Sequence, residues 1–232
     1  MNSKPWNNDK ELFHFIRNEL FVAVVGDIMD KMGYQHQFLP PQIQPLKEDM
    51  FIVGRAMTVL EADCFETLSP DSANPLMNKA FGLMLEALDD IKPGEVYICS
   101  GSSANYALIG ELMMTRVKMC GGAGAVVNGY SRDTKGIYNV GLPVFSYGPY
   151  AQDQAPRGKV IDFRVPLEIN GVRVNPGDIV MGDIDGVCIV PQNIEEEVFL
   201  KALEKARGEH IVLKAIQGGM SAVEAWKKYG IM

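Results

Sequence analysis

The sequence is poor in the residues that most often announce a metal or redox centre. Three histidines, His14, His36 and His210, are scattered along 232 residues, and four cysteines, Cys64, Cys99, Cys120 and Cys188, stand far apart with no C-x-x-C pair. That spacing excludes a zinc knuckle or redox dithiol and predicts reduced thiols in the core. Cationic charge is also short, with 22 Lys and Arg against 29 Asp and Glu for a formal charge of −7. Without a basic cluster, such a surface repels a nucleic-acid backbone. No run approaches the roughly 18–20 apolar residues that span a membrane. The stretch from Met1 to Lys10 lacks the apolar core of a signal peptide. The expectation is a soluble, cytoplasmic protein with neither nucleic acid nor membrane as partner.

The remainder is ordinary for a globular chain, 47% hydrophobic and 22% charged. From about Asp9 to Gly33, Leu12, Phe13, Ile16, Leu20, Val24, Val25, Ile28, Met29 and Met32 recur at helical spacing. They predict two helices broken near Phe21-Val22. Pro40, Pro41 and Pro45 predict a loop over Gln37–Asp49 with no regular element. A strand is expected over Ile52–Leu60 and a helix over Pro75–Leu88. Lys92-Pro93-Gly94-Glu95 and Asn175-Pro176-Gly177-Asp178 are turns, each leading into a strand. Helices over Ala107–Cys120 and Asp133–Val140 alternate with strands over Ala125–Gly129 and Pro143–Tyr147. Short β-runs follow from Lys159 to Pro191, where Asn170-Gly171 marks a hairpin. Helices over Ile194–Ile216 and Met220–Tyr229 close the chain, split by Gly218-Gly219. With no long linker or tandem repeat, the pattern predicts one α/β domain over 1–232, with a helical N-terminal segment 8–33 and C-terminal helices 194–229.

The glycine string after Cys120 runs in the order helix, glycines, strand. A dinucleotide fingerprint needs strand, glycines, helix, so these glycines read as a helix stop. Phosphate-loop and serine-hydrolase motifs are absent. More informative is Asn128-Gly129-Tyr130-Ser131-Arg132-Asp133, between a strand and a helix. Asp133 either caps that helix, with Arg132 a solvated neighbour, or the pair forms a site beyond the carboxyl end of the strand. In the second case Arg132 would take a carboxylate in bidentate fashion and Asp133 a hard divalent cation. Gly110-Glu111-Leu112-Met113 opens another helix, where free N–H groups favour an anion, although Glu111 also reads as an ordinary first-turn acid.

Together, Gly110-Glu111-Leu112-Met113 and Gly124-Ala125-Val126-Val127-Asn128-Gly129-Tyr130-Ser131-Arg132-Asp133 resemble the RraA-like family of metal-dependent 4-hydroxy-4-methyl-2-oxoglutarate / 4-carboxy-4-hydroxy-2-oxoadipate aldolases and regulators of ribonuclease E activity. Val25-Gly26-Asp27-Ile28-Met29-Asp30, Pro176-Gly177-Asp178-Ile179-Val180 and Asp183-Ile184-Asp185-Gly186-Val187 extend the likeness to about residues 20–230. The resemblance implies a layered β/β/α sandwich with N- and C-terminal helices, assembled as a homotrimer or homohexamer with interfacial active sites. It implies Mg²⁺ or Mn²⁺ on Asp133, Arg132 on a 2-oxo acid, and the substrate carboxylate on the backbone amides of Gly110–Met113. It further implies that Glu111 positions water, and that a Glu from a neighbouring subunit's C-terminal helix, matched here by Glu209, reaches the same water. Family aldolases usually have Asp at the position of Glu111, and many carry an acid at that of Gly136. The expected activity is a lyase that cleaves a C–C bond of a small anionic 2-oxo acid through a pyruvate enolate, as an aldolase or oxaloacetate decarboxylase. The alternatives are a non-catalytic, protein-binding regulator of a ribonuclease and an unrelated lyase or hydratase on the same scaffold.

Overall fold

The computed structural model describes residues 4–231. Met1, Asn2, Ser3 and Met232 lie outside the described residues, and with them the start of the stretch read as lacking a leader and both ends of the expected 1–232 domain. In chain order, α1 (Asp9–Glu19) and α2 (Val22–Lys31) are followed by β1 (Gln44–Pro45), β2 (Ile52–Asp63), α3 (Met84–Asp90) and β3 (Glu95–Ser100). Next come β4 (Ala107–Ile109), α4 (Glu111–Met119), β5 (Gly124–Val127), β6 (Tyr130–Ser131), α5 (Thr134–Val140) and β7 (Val144–Ser146). The chain finishes with β8 (Gly158–Phe163), β9 (Leu167–Ile169), β10 (Val172–Val174), β11 (Ile179–Asp183), β12 (Gly186–Val190), α6 (Glu195–Gln217) and α7 (Ala222–Tyr229). Among the described residues, no helix is long and apolar enough to cross a membrane.

One compact unit is built from the residues up to Gln35 together with those from Asn193 onward. Asn8 caps α1 through its side chain, and Leu20 and Phe21 adopt extended backbone that separates α1 from α2 at the expected break. Trp6 packs on Phe15, with ring centroids 4.9 Å apart, and meets Phe199 of α6 edge-on. A capping box between Ser221 and Glu224 starts α7.

His36–Gln192 form the other unit. Its main sheet runs β1-β7-β5-β3-β2-β11-β12, with β8 also paired to β2. The centre, β2, β3, β5 and β7, is parallel; β1, β8, β11 and β12 join antiparallel. The end strands β1 and β12 come together, so the sheet is nearly closed. Two small companions accompany the nearly closed sheet, the β9-β10 hairpin and the β4-β6 pair. Side chains alternate across β3. Tyr97 and Cys99 enter the core beneath α3, α4 and α5, while Val96 and Ile98 enter a second core with Ile52, Phe145, Val180 and Ile189.

Three predicted elements are corrected. Ala107–Cys120 is not one helix: Ala107–Ile109 pair with Tyr130 and Ser131 as β4, and α4 begins only after Gly110. Pro75–Leu88 divides into a 3₁₀ turn, Pro75–Asn78, and α3, because Gly82 takes φ +62°. A Cβ there would lie 2.1 Å from the carbonyl oxygen of Val160, so the chain can pass β8 only as glycine. The proline-rich stretch holds one short strand, β1, because a strand at the edge of the sheet tolerates Pro45. Cys64, Cys99 and Cys188 are buried and free, whereas Cys120, at the open end of α4, is half-buried. Burial pushes the Cys188 thiol up to about 12, which keeps it unreactive.

Candidate active site

The loops that leave the carboxyl ends of β3, β5 and β7 converge, as ligand-binding loops do in parallel α/β sheets. They border a cleft of about 240 Å³ whose lining includes Phe81, Gly110, Arg132, Asp133, Asp153 and Gln154. Two motifs more than twenty residues apart meet here because β4 pairs in parallel with β6. The backbone N–H of Arg132 donates to the carbonyl of Ile109 at 2.9 Å, which sets Arg132-Asp133 beside the start of α4.

Asp133 does not cap α5 as one reading of the sequence expects. It occupies the cap position, but its side chain makes no capping hydrogen bond and its backbone is left-handed, φ +57° and ψ +38°. That conformation is uncommon outside glycine, and Asp adopts it more readily than most residues. It turns the carboxylate away from the helix it precedes and toward Gly110. A Cβ on Gly110 would lie 2.7 Å from Oδ2 of Asp133. Gly110 thus leaves a space that no other residue would leave.

The same glycine gives α4 no side-chain cap. The N–H groups of Glu111, Leu112 and Met113 therefore have no acceptor within the helix. Leu112 and Met113 line the cleft with Gly110. Arg132 stands opposite, its Nη1 2.7 Å from Oδ1 of Asp153 and its Nε 3.6 Å from Oδ1 of Asp133. Sequence reasoning missed Asp153 and Gln154. Their signal was their place, in a loop just beyond the strand at Pro143–Tyr147.

Glu111 is placed differently. Its side chain is not part of the cleft lining and rests on α5, where a Cβ on Gly136 would lie 2.2 Å from Cδ and Oε2 of Glu111. The two departures from the aldolase pattern therefore touch: the longer acid occupies the room that a side chain at 136 would take. Gly136→Ala is expected to expel the Glu111 carboxylate from this position, and adding Glu111→Asp should recover most of the loss. A double-mutant cycle in thermal stability reads the coupling, and strictly additive effects would contradict it. Glu209 belongs to the other compact unit, on α6, where its carboxylate accepts from Lys205 at 2.6 Å and Lys205 also pairs with Asp27.

Among the described residues, no three His, Cys, Asp or Glu side chains converge on one point. A closed, all-protein metal cage is therefore not what these residues build. A hydrated Mg²⁺ or Mn²⁺ needs less, since such ions keep several waters and take one or two carboxylates plus ligand oxygens. The Asp133 carboxylate, beside the gap at Gly110, fits that requirement.

Fold and site together define a mixed α/β protein with helices at both ends and a cleft at the ends of parallel strands. The Aldolase/RraA model of the RraA-like family matches residues 22–189, and the chain belongs to that family. A Halalkalibacterium halodurans protein, provisionally named a 4-hydroxy-4-methyl-2-oxoglutarate aldolase, is 29% identical over 81% of this chain and 82% of its own length. A Thermus thermophilus protein that carries the same aldolase name outright is 31% identical over 47% of this chain and 67% of its own. Among solved structures, an uncharacterized protein from Pseudomonas syringae pv. tomato superposes with a TM-score of 0.81 at 25% identity, covering 99% of both chains.

Proposed function

We propose that the protein is a divalent-metal-dependent lyase that cleaves a C–C bond of a small anionic 2-oxo acid through a pyruvate enolate. The observation that carries this reading is the Arg132-Asp133 pair facing the uncapped start of α4 across one cleft, with Asp133 in a left-handed backbone that withdraws it from capping. The names of the aldolase relatives support it.

In this reading the free N–H groups of Leu112 and Met113 receive the substrate carboxylate. Arg132 donates to the 2-oxo group and stabilises negative charge as it develops on that oxygen. Asp133 would hold Mg²⁺ or Mn²⁺, and the ion would supply Lewis-acid polarisation of a bound 2-oxo acid. A water in the cleft accepts the C4-hydroxyl proton; the C3–C4 bond then breaks, its electron pair entering the C2–C3 enolate while C4 leaves as a carbonyl. Protonation at C3 gives pyruvate. Oxaloacetate decarboxylation reaches the same enolate by losing CO₂ from C3. The proposal includes a homotrimer or homohexamer in which a neighbouring subunit's Glu209 joins the water shell, and the finer layered-sandwich description of the family.

The test is pyruvate release from oxaloacetate and from 4-hydroxy-4-methyl-2-oxoglutarate with Mg²⁺, with Mn²⁺ and with a chelator. Turnover is expected with metal and none with chelator, and Arg132→Ala should lower kcat/KM by about 10²–10³-fold. Arg132→Lys should recover little, because a point-like ammonium cannot reproduce the planar fork. Metal-independent turnover, or none on either substrate, would sink the reading, and the second result would favour a ribonuclease-binding regulator.

A further inference from the structure

Strand β2 changes partners along one edge. Its first residues, Ile52–Arg55, pair with β11, its last, Val59–Asp63, pair with β8, and the register slips between Leu60 and Glu61. The extra residue, Ile161, lies on β8, and on β2 the alternation that sends Met57 and Val59 into the core carries on to Glu61, an acid. Glu61 is 1% exposed. Its Oε2 accepts from Nε2 of Gln154 at 2.6 Å, whereas Oε1 and the hydroxyl of Tyr97 have no hydrogen-bond partner among the described residues.

The groups that act on Glu61 are Asp63 of its own strand and Tyr97, Cys99 and Tyr106 across from it, none of them a cation. Lys159, on the adjoining β8, gives its ammonium instead to the carbonyls of Thr67, Met77 and Lys79. Desolvation dominates, and it pushes the Glu61 carboxyl up to about 8. Gln154 is 5% exposed, lines the cleft and adjoins Asp153, the partner of Arg132.

The geometry assigns Glu61 the role of a positioning residue: its uncharged carboxyl anchors Gln154 and so fixes the segment that holds Asp153 against Arg132. An ionised Glu61 would be a buried charge with one amide donor and only the weak Cys99 thiol besides, and opening the Gln154 segment to water relieves it at least cost. Arg132 then loses its fixed partner. Alkaline pH, on this account, loosens the cleft without touching Arg132 or Asp133 directly. The inference rests on the cleft geometry and not on the proposed lyase chemistry.

The experiment is amide hydrogen exchange in the full chain, read over 149–157 from pH 6 to pH 9.5 and corrected for the intrinsic rate, in wild type, Glu61→Gln and Glu61→Ala. Wild type is expected to lose protection progressively as pH rises from 6 toward 8 and to level off above it. Glu61→Gln keeps the amide contact without a titrating group, so its protection should not vary with pH. Glu61→Ala should be open throughout. If it does not fold, the comparison of wild type with Glu61→Gln decides alone. A pH response unchanged in Glu61→Gln, or no response in wild type, overturns the assignment. Absent turnover with this exchange pattern intact would count against the lyase reading only, while turnover with a flat exchange profile would count against Glu61 only.

Discussion

Asp133→Gly is expected to fold at least as stably as the parent while losing pyruvate-forming activity by about 10²–10³-fold or more. Its backbone, at φ +57° and ψ +38°, suits glycine better than any residue with a Cβ. No capping bond is lost, because the Asp133 side chain makes none. Relief of the left-handed conformation adds up to about 1 kcal/mol of stability. On the proposed lyase reading, activity should fall nonetheless, since the Asp133 carboxylate beside the gap at Gly110 is gone. Urea denaturation measures the first quantity; steady-state pyruvate release and Mn²⁺ titration measure the second. A destabilised variant would mean that Asp133 is a structural cap after all. A stable and fully active one would remove it from the site.

The second large effect concerns stability as a function of pH. Folding raises the Glu61 carboxyl from an ordinary value near 4.5 to about 8. Between those limits the native state binds a proton that the unfolded state does not, so stability falls as pH rises. The window from 4.5 to 8 corresponds to roughly 4–5 kcal/mol from this one group. Below it both states are protonated and above it both are ionised, so the dependence flattens at each end. Glu61→Gln should remove most of the slope and leave the variant more stable than the parent above neutrality. Urea midpoints at pH 5, 6.5, 8 and 9 test this. Parallel curves for parent and variant would show that Glu61 does not carry the linkage.

Much of this was legible in the residues. Helical periodicity from Leu12 to Met32, the Gly218-Gly219 break and the Asn170-Gly171 hairpin are local signals, and the structure places α1, α2, α6, α7 and the β9-β10 turn where they point. The pair Arg132-Asp133 and the run from Gly110 to Met113 could be named as candidates because chemistry-bearing residues sat between a strand and a helix. Other features depended on partners distant in the chain. Ala107–Ile109 read as helix because their apolar run has no period of its own, and only pairing with Tyr130 and Ser131 makes them a strand. No local pattern shows that Glu111 lies over Gly136, or that Asp153 closes on Arg132.

The sequence by itself pointed to the family through the resemblance of its motifs, and to the terminal helices and the residue types able to hold a carboxylate or a hard cation through composition, spacing and short-range backbone preference. Tertiary structure alone decided that Asp133 leaves its helix uncapped, that Glu111 turns to α5, and that Glu61, an unremarkable acid at the end of a β-run, is buried behind the cleft. The physical reason is common to all three: each outcome is set by contacts between strands and loops far apart in the chain, whose energies no local window of residues contains.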